Sequence, residues 1–489
     1  MPTTSDYLTQ LQQDREDLVD NLETQGITGL TGDETFTELV PEVLNIQTGG
    51  GSPNLQTKSV TITTNTTTNI SADSGYDGLD SVSVTTNVSG GSNPTKGVVI
   101  TDWNNSGQAT EVTLYGFNEN NYINMPRNGV ASGDGFNQIT KAILDNTCTS
   151  LPEKCFSGAT LLNTIDIKNK ISYLSPNAFN GCIALTKTSM DWTKINATDI
   201  PPSCFTACTS LNITELPNTI INIGQFAFSG CTNLSLTSLP TNLTSIGYAE
   251  TGTGGYTFNG CTNLKISEIP ESVQIVNNVT YRVNLFSNCT NITITKVPNN
   301  WTVIPNNCFN GCTSIPSMNL STTSVTIVGT SAFSGCTSLA NFNFGNVVTI
   351  NGNAFQSCTS LANIIAENVE TIYNQAFLQC TALKKICLPS ITSLTANSNN
   401  TGQFSRCTSL KQVWLGSGIT SAKLGRYVFQ YCTSLEKIYI DLPRATVGAF
   451  TNYQYAFMND TSKTGIIVCN DDNDFISQSD FESIDVSTL

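Results

Sequence analysis

The 489-residue chain contains no histidine. That absence removes the commonest general base, the commonest zinc ligand and every serine–histidine or cysteine–histidine pair. Charge is scarce, at 12% of residues, and the basic side is the poorer: 22 Lys and Arg stand against 37 Asp and Glu, for a net charge of −15. Binding a phosphate backbone needs a concentrated basic surface, so nucleic acid is excluded as a partner. No apolar run reaches the roughly 18 residues of a membrane-spanning helix, which excludes membrane insertion. Residues 1–6 carry neither the positive nor the apolar region of a signal peptide, and no sorting tail closes the chain. Cys-x-x-Cys pairs are missing as well, so the 17 cysteines are not read as a metal site, and no cofactor is expected.

What the chain does have is a phrase, Phe-x-x-Cys-Thr-x-Leu. Clean copies begin at Phe205, Phe228, Phe258, Phe333, Phe355, Phe377, Phe404 and Phe429. Altered copies begin at Phe179, Phe286 and Phe309, and edge copies at Phe156 and Phe457, where Ala159 and Asp460 hold the cysteine slot. These thirteen phenylalanines lie 22 to 30 residues apart. A period of that size predicts a mainly β repeat solenoid of about 13 coils, none able to bury its apolar side alone.

The core residues follow from the same register. Phe179 with Cys182, Phe205 with Cys208, Phe228 with Cys231, Phe333 with Cys336, Phe355 with Cys358 and Phe377 with Cys380 are expected to point inward. The spacing of Ala332 and Cys336 reads as one helical turn with both residues on its inner side. Buried cysteine acts as a small hydrophobe, so the repeated thiols are read as a reduced core ladder. The pattern does not settle whether Cys148, Cys387 and Cys469 are buried.

The organisation in front of the repeats differs. Residues 1–48 read as a helical oligomerisation or docking segment, with Leu8, Leu11, Leu18 and Leu22 in a heptad that Gly26 stops. Residues 49–58 form a glycine-rich linker, and residues 59–89 a small β module with alternating strands. A second linker spans residues 90–96, and residues 97–144 read as the N-terminal cap of the solenoid. The repeats occupy 145–463 and a C-terminal cap 464–489. Within that last part, residues 471–474 read as a solvated acidic cluster at a helix start.

The stretch Asn222–Leu234 carries Ile-Gly-x-x-Ala-Phe-x-x-Cys-Thr-x-Leu almost letter for letter and resembles the BspA-type leucine-rich repeat. The resemblance covers about residues 145–463. It implies a solenoid whose role is recognition, often attachment to a surface, with no catalytic residues. Segments within residues 1–90 are similar to modules of tail and appendage proteins from phages of gut bacteria. That second resemblance implies a virion protein, made in the host cytoplasm without a signal peptide.

Binding residues are expected where coils lengthen. Five residues separate Ile223 from Phe228, but twelve separate Ile246 from Phe258 and ten separate Val276 from Phe286. The same register is extended after Leu394 and Val447. Tyr248, Tyr256, Tyr281, Arg282, Phe450, Tyr453 and Tyr455 are the candidates there, because tyrosine among small polar residues suits recognition loops. The leading reading is a phage tail fibre or receptor-binding protein, a homo-oligomer with a trimer among its allowed forms. It would join other tail proteins through its N-terminus and attach to a host-surface glycan or protein. The alternatives are a BspA-like bacterial cell-surface adhesin and a virion spacer without a receptor. No enzyme is expected.

Overall fold

The computed structural model describes residues 55–62, 78–86, 97–103, 109–118, 138–248, 255–275, 284–394, 402–419, 425, 427–448 and 466–485. Leu8, Leu11, Leu18 and Leu22 lie outside these residues. The chain divides into two compact units near Glu111, and the second holds the repeats.

In the first unit β1 (Leu55–Ile62) and β2 (Gly78–Thr86) pair in parallel, from Leu55 opposite Gly78 to Ile62 opposite Thr86. A parallel pair cannot be joined by a tight turn. β3 (Gly97–Trp103) and β4 (Ala109–Tyr115) follow. Thr101 donates to Glu111 at 2.9 Å and Thr110 to Asp102 at 3.1 Å. The second unit opens with Val112 and Leu114, both buried.

Its strands are short because each coil spends only a few residues on each edge. β5 (Lys141–Leu144) and β6 (Thr164–Ile167) pair in parallel. β7 (Asp199–Ile200), β8 (Asn222–Gly224), β9 (Ser245–Tyr248) and β10 (Gln274–Ile275) form one parallel sheet. Strands of two kinds then alternate: β11 (Val303–Ile304), β12 (Ser317–Asn319), β13 (Ile327–Val328), β14 (Asn341–Asn343), β15 (Thr349–Ile350), β16 (Asn363–Ile365) and β17 (Thr371–Ile372). The odd-numbered ones make one sheet, while β12 pairs with β14. From β16 a five-stranded parallel sheet continues through β18 (Lys385–Leu388), β19 (Gln412–Leu415), β20 (Lys437–Ile440) and β21 (Ile467–Cys469). Two short helices, α1 (Arg444–Gly448) and α2 (Gln478–Ser483), flank β21.

The core is a column of rings. Twelve phenylalanines from Phe156 to Phe429 stack in succession, with centroids 4.9–5.7 Å apart and planes within 20°. That step matches the roughly 4.8 Å between parallel strands, so ring and backbone repeat at one pitch. The column defines about 11 turns. Phe457, the thirteenth ring of the pattern, lies outside the described residues. Phe179, Phe205, Phe228, Phe333, Phe355 and Phe377 are at most 1% exposed, as are the cysteines three residues after each.

The segment around each ring is not helical, contrary to the expected helical turn. Ser334 donates its N–H to Ser331 O, Cys336 to Phe333 O and Leu339 to Cys336 O, each three residues back, at 3.1–3.2 Å. These are successive β-turns, and left-handed residues at Ser331 (φ 53°) and Gly335 (φ 74°) keep them from winding into a helix. Ala332 and Cys336 still face inward because the turns return both to the core. The left-handed site two residues after the ring recurs in every coil of the column. Glycine takes it at Gly158, Gly181, Gly230, Gly260, Gly311 and Gly335, Ala207 and Asn288 hold it in two coils between, and Ser357, Gln379, Arg406 and Tyr431 hold it in the last four.

The cysteines do more than fill space. Each repeated thiol lies 2.9–3.2 Å from the carbonyl oxygen of the preceding coil's phenylalanine, from Cys182 on Phe156 to Cys432 on Phe404. The sulfur is a weak donor to an oxygen that already accepts an N–H from its own coil. All 17 cysteines are free and buried, Cys148, Cys387 and Cys469 included.

Candidate functional site

Strand alternation decides what the second sheet edge shows outside. In β14, Phe342 turns inward, with its ring edge-on to Phe333 at 5.1 Å and to Phe355 at 4.8 Å, while Asn341 and Asn343 are exposed. The register sets Ser317 beside Asn341 and Asn319 beside Asn343. Together with Asn363 and Glu367 these residues border an open groove of about 540 Å³.

Local hydrogen bonds fix two of the amides. Asn319 Oδ1 accepts Ser321 N–H at 3.0 Å and Asn343 Oδ1 accepts Gly345 N–H at 3.1 Å, both Asx turns at strand ends. With that oxygen committed, each side chain offers a ligand its NH₂ donor. Gly345 (φ 54°) is required at the rim, because a Cβ there would lie 2.4 Å from Leu320 O. The lining therefore holds amide donors, the Ser317 hydroxyl and the Glu367 carboxylate, beside the apolar Met318, Phe342, Phe344 and Ile365. That set suits a neutral polar ligand rich in hydroxyls or amides, held by hydrogen bonds.

Of the sequence candidates, Tyr248 and Tyr256 are described. Tyr256 stacks on Phe226, with centroids 4.9 Å apart and planes 14° apart, and both rings are half-buried at left-handed positions two residues before a core phenylalanine. Phe226 was not among the candidates; its place in the same column as Tyr256 was the available signal. Tyr248 ends β9 beside Gly224, and its carbonyl accepts Gln225 N–H at 2.8 Å. Tyr281, Arg282, Phe450, Tyr453 and Tyr455 lie outside the described residues. Tyr373 and Tyr431 are exposed, and the Arg406 guanidinium sits 5.4 Å over the Tyr431 ring.

The sheet's outer face changes toward the C-terminus. Where upstream strands carry Asn341 and Asn363, β18, β19 and β20 carry Lys385, Gln412 and Lys437, and the next outward row becomes Cys387, Trp414 and Tyr439. Residues 470–485 fold over this part. Lys385 Nζ donates to the Glu482 and Ile484 carbonyls at 2.8 and 2.9 Å, and Trp414 Nε1 to Ile476 O at 3.2 Å. Phe481 is fully buried in a cluster with Cys387, Trp414, Tyr439 and Val468. Burial lowers the Lys385 pKa.

The acidic run meets a helix start, that of α1, and is ion-paired as well. Asp474 pairs with Lys437 at 3.0 Å, Asp472 with Arg444, and Asp471 accepts Arg444 N–H at 2.8 Å. The cap of α2 is Ser477, whose side chain accepts Asp480 N–H. No group of three or more potential metal ligands occurs among the described residues. No helix among them is long and apolar enough to cross a membrane.

No curated protein matches the chain in sequence. Solved structures of similar fold include a leucine rich cell surface protein from Faecalibacterium prausnitzii, 21% identical, covering 74% of this chain and 97% of that one, with a TM-score of 0.38. A leucine-rich repeat protein from Bacteroides ovatus is 21% identical, covers 76% and 98%, and gives a TM-score of 0.42. One from Eubacterium ventriosum is 18% identical, covers 68% and 82%, and gives 0.35. The BspA type leucine rich repeat region matches in six copies, over residues 134–250, 251–362, 279–402, 326–462 and 391–489. The phage-like resemblance of residues 1–90 lies outside these matches. With its ring column, thiol rungs and parallel coils, the chain belongs to the BspA type leucine-rich repeat family.

Proposed function

We propose that the protein is a non-enzymatic recognition protein of adhesin type, working at a bacterial cell surface and holding a hydroxyl- or amide-rich ligand without covalent chemistry. The groove of β12, β14 and β16 carries this reading. Repeat-defining residues are spent inward on rings and thiols, while outward positions gather Ser317, Asn319, Asn341, Asn343, Asn363 and Glu367 around one depression. The stacked Phe226 and Tyr256 offer an aromatic surface that would add a sugar-ring contact. The family's recognition role fits such a division of labour.

The test is binding of the full chain to glycan arrays and to whole cells, with Asn343→Arg as the groove-filling variant. At least a tenfold loss for Asn343→Arg is expected. Equal binding by the folded variant overturns the groove as the site.

A second reading, a virion appendage, is supported by the similarity of residues 1–90 to phage tail modules. In it, Leu8, Leu11, Leu18 and Leu22 assemble copies of the chain, and several weak grooves act together through avidity. Finding the protein in purified virions supports that location, and finding it on intact bacterial cells without phage supports the first.

A further inference from the structure

Among the described residues, the last sheet ends at β21, yet residues 470–485 run back over strands that are already paired. Asp474 meets Lys437 on β20, Ile476 meets Trp414 on β19, and Glu482 and Ile484 meet Lys385 on β18. Ile484 packs against the same cluster as Ile365 at the end of the polar groove. This strap thus occupies the very outer face that upstream coils leave open as a groove.

The cations that meet the strap are Lys385, Lys437 and Arg444, in a protein whose net charge is −15. Residues 466–485 contain six Asp or Glu and no Lys or Arg. Opposite signs therefore meet in this contact, at Lys437 with Asp474 and Arg444 with Asp472. The contacts also have the chemistry of peptide recognition. Three donor bonds, two from Lys385 and one from Trp414, end on main-chain carbonyls of the strap. One buried aromatic anchor, Phe481, fills the space among Cys387, Trp414 and Tyr439, and the Lys385 ammonium lies 5.3 Å from its ring centroid. Main-chain carbonyls are common to every peptide, so specificity comes from the anchor and the acidic flank.

We propose that the outer face of β18, β19 and β20 is an acceptor site for an acidic peptide segment of a partner protein bearing one aromatic anchor, and that the strap occupies this site in cis. Tethering gives the strap a high effective concentration, so an outside segment seats only when the strap leaves or is outcompeted. The site adjoins the polar groove at Ile365 but draws on other strands, so its failure would leave the groove reading untouched.

The test uses the full chain, a Phe481→Asp variant that removes the anchor, and a synthetic peptide of residues 470–489 as probe. Phe481→Asp is expected to bind the peptide at least tenfold more tightly than the parent, whose face is filled. A peptide carrying the Phe481→Ala change should lose at least tenfold, and unrelated acidic peptides with one aromatic residue should bind better than neutral ones. If Phe481→Asp fails to fold, a chain ending at Asn473 takes its place in the same comparison. A folded variant that binds the peptide no better than the parent overturns the proposal. So does one that binds heparin as tightly as the peptide, since that would make the face a polyanion site without need of the anchor.

Discussion

The sulfur of Cys358 lies 3.1 Å from the carbonyl oxygen of Phe333, and that oxygen also accepts the N–H of Cys336 at 3.1 Å. One thiol therefore ties its coil to the previous one at a point where no backbone donor from its own coil is used. Replacing Cys358 with Ala should cost about 1–2 kcal/mol, from lost packing together with a lost weak donor. Ser keeps a donor and Val keeps apolar volume without one. The expected order of stability in chemical denaturation is Ser above Val; the reverse order would return the residue to the role of a small hydrophobe.

Phe355 sits 4.9 Å from Phe377 and 5.4 Å from Phe333, and Phe342 meets its edge. Phe355→Ala should cost ~3–5 kcal/mol, the range for a buried aromatic truncated in a core. Coils contact only their neighbours, so the damage should be local. Hydrogen exchange should show lost protection on both sides of residue 355 and little change near Phe205. Uniform loss along the stack would contradict nearest-neighbour stability.

Burial pushes column thiols such as Cys312, Cys358 and Cys407 above their ordinary value of 9.0. A raised folded pKa means that the unfolded chain loses these protons first. Stability from this source is complete below pH 9 and is lost as pH rises beyond it. Native protein should therefore react slowly with thiol reagents at pH 8, and denatured protein should release 17 reactive thiols. Alkaline unfolding should come with simultaneous thiol exposure. Rapid labelling of several thiols in the native state would show that the column is open to solvent.

The corner at the start of the strap responds to acid. The Cys469 N–H, helped by the Arg444 guanidinium, holds the Asp472 carboxyl below its usual 3.8. A lowered folded pKa contributes stability above the ordinary carboxylate range and loses it as pH falls through the lower value. Strap release should thus begin below about pH 4, read as a change in Trp414 fluorescence that a Trp414→Phe variant lacks. Unaltered Trp414 emission through that range, in protein that keeps its fold, would mean that the acidic corner does not hold the strap.

Periodicity carried the inward half of this structure. Phe228, Cys231 and Leu234 recur with the coil, and stacking at one pitch forces each recurrence to the same place. Other features broke no periodic rule and left no trace in it. A thiol that donates and a thiol that only packs have the same spacing. The groove uses Asn341 and Asn343, and asparagine is common along the whole chain, so nothing marked these two. Lys385 meets Glu482 across 97 positions, a pairing that no local window shows. Phe226 was hidden by its nearness to Phe228, which took the role of core ring.

The rungs between coils run both ways. Phe333 sends its N–H forward to Ala354 O, and Gly335 sends its own to Gln356 O, while the sulfurs point back. Along the strands the main-chain donors run backward as well, from Gly329 to Ile304 O and from Asn351 to Val328 O. Each cross-section therefore presents donors and acceptors toward both neighbours. A coil stripped of one neighbour would expose both kinds of group together, as the edge strand of any sheet does.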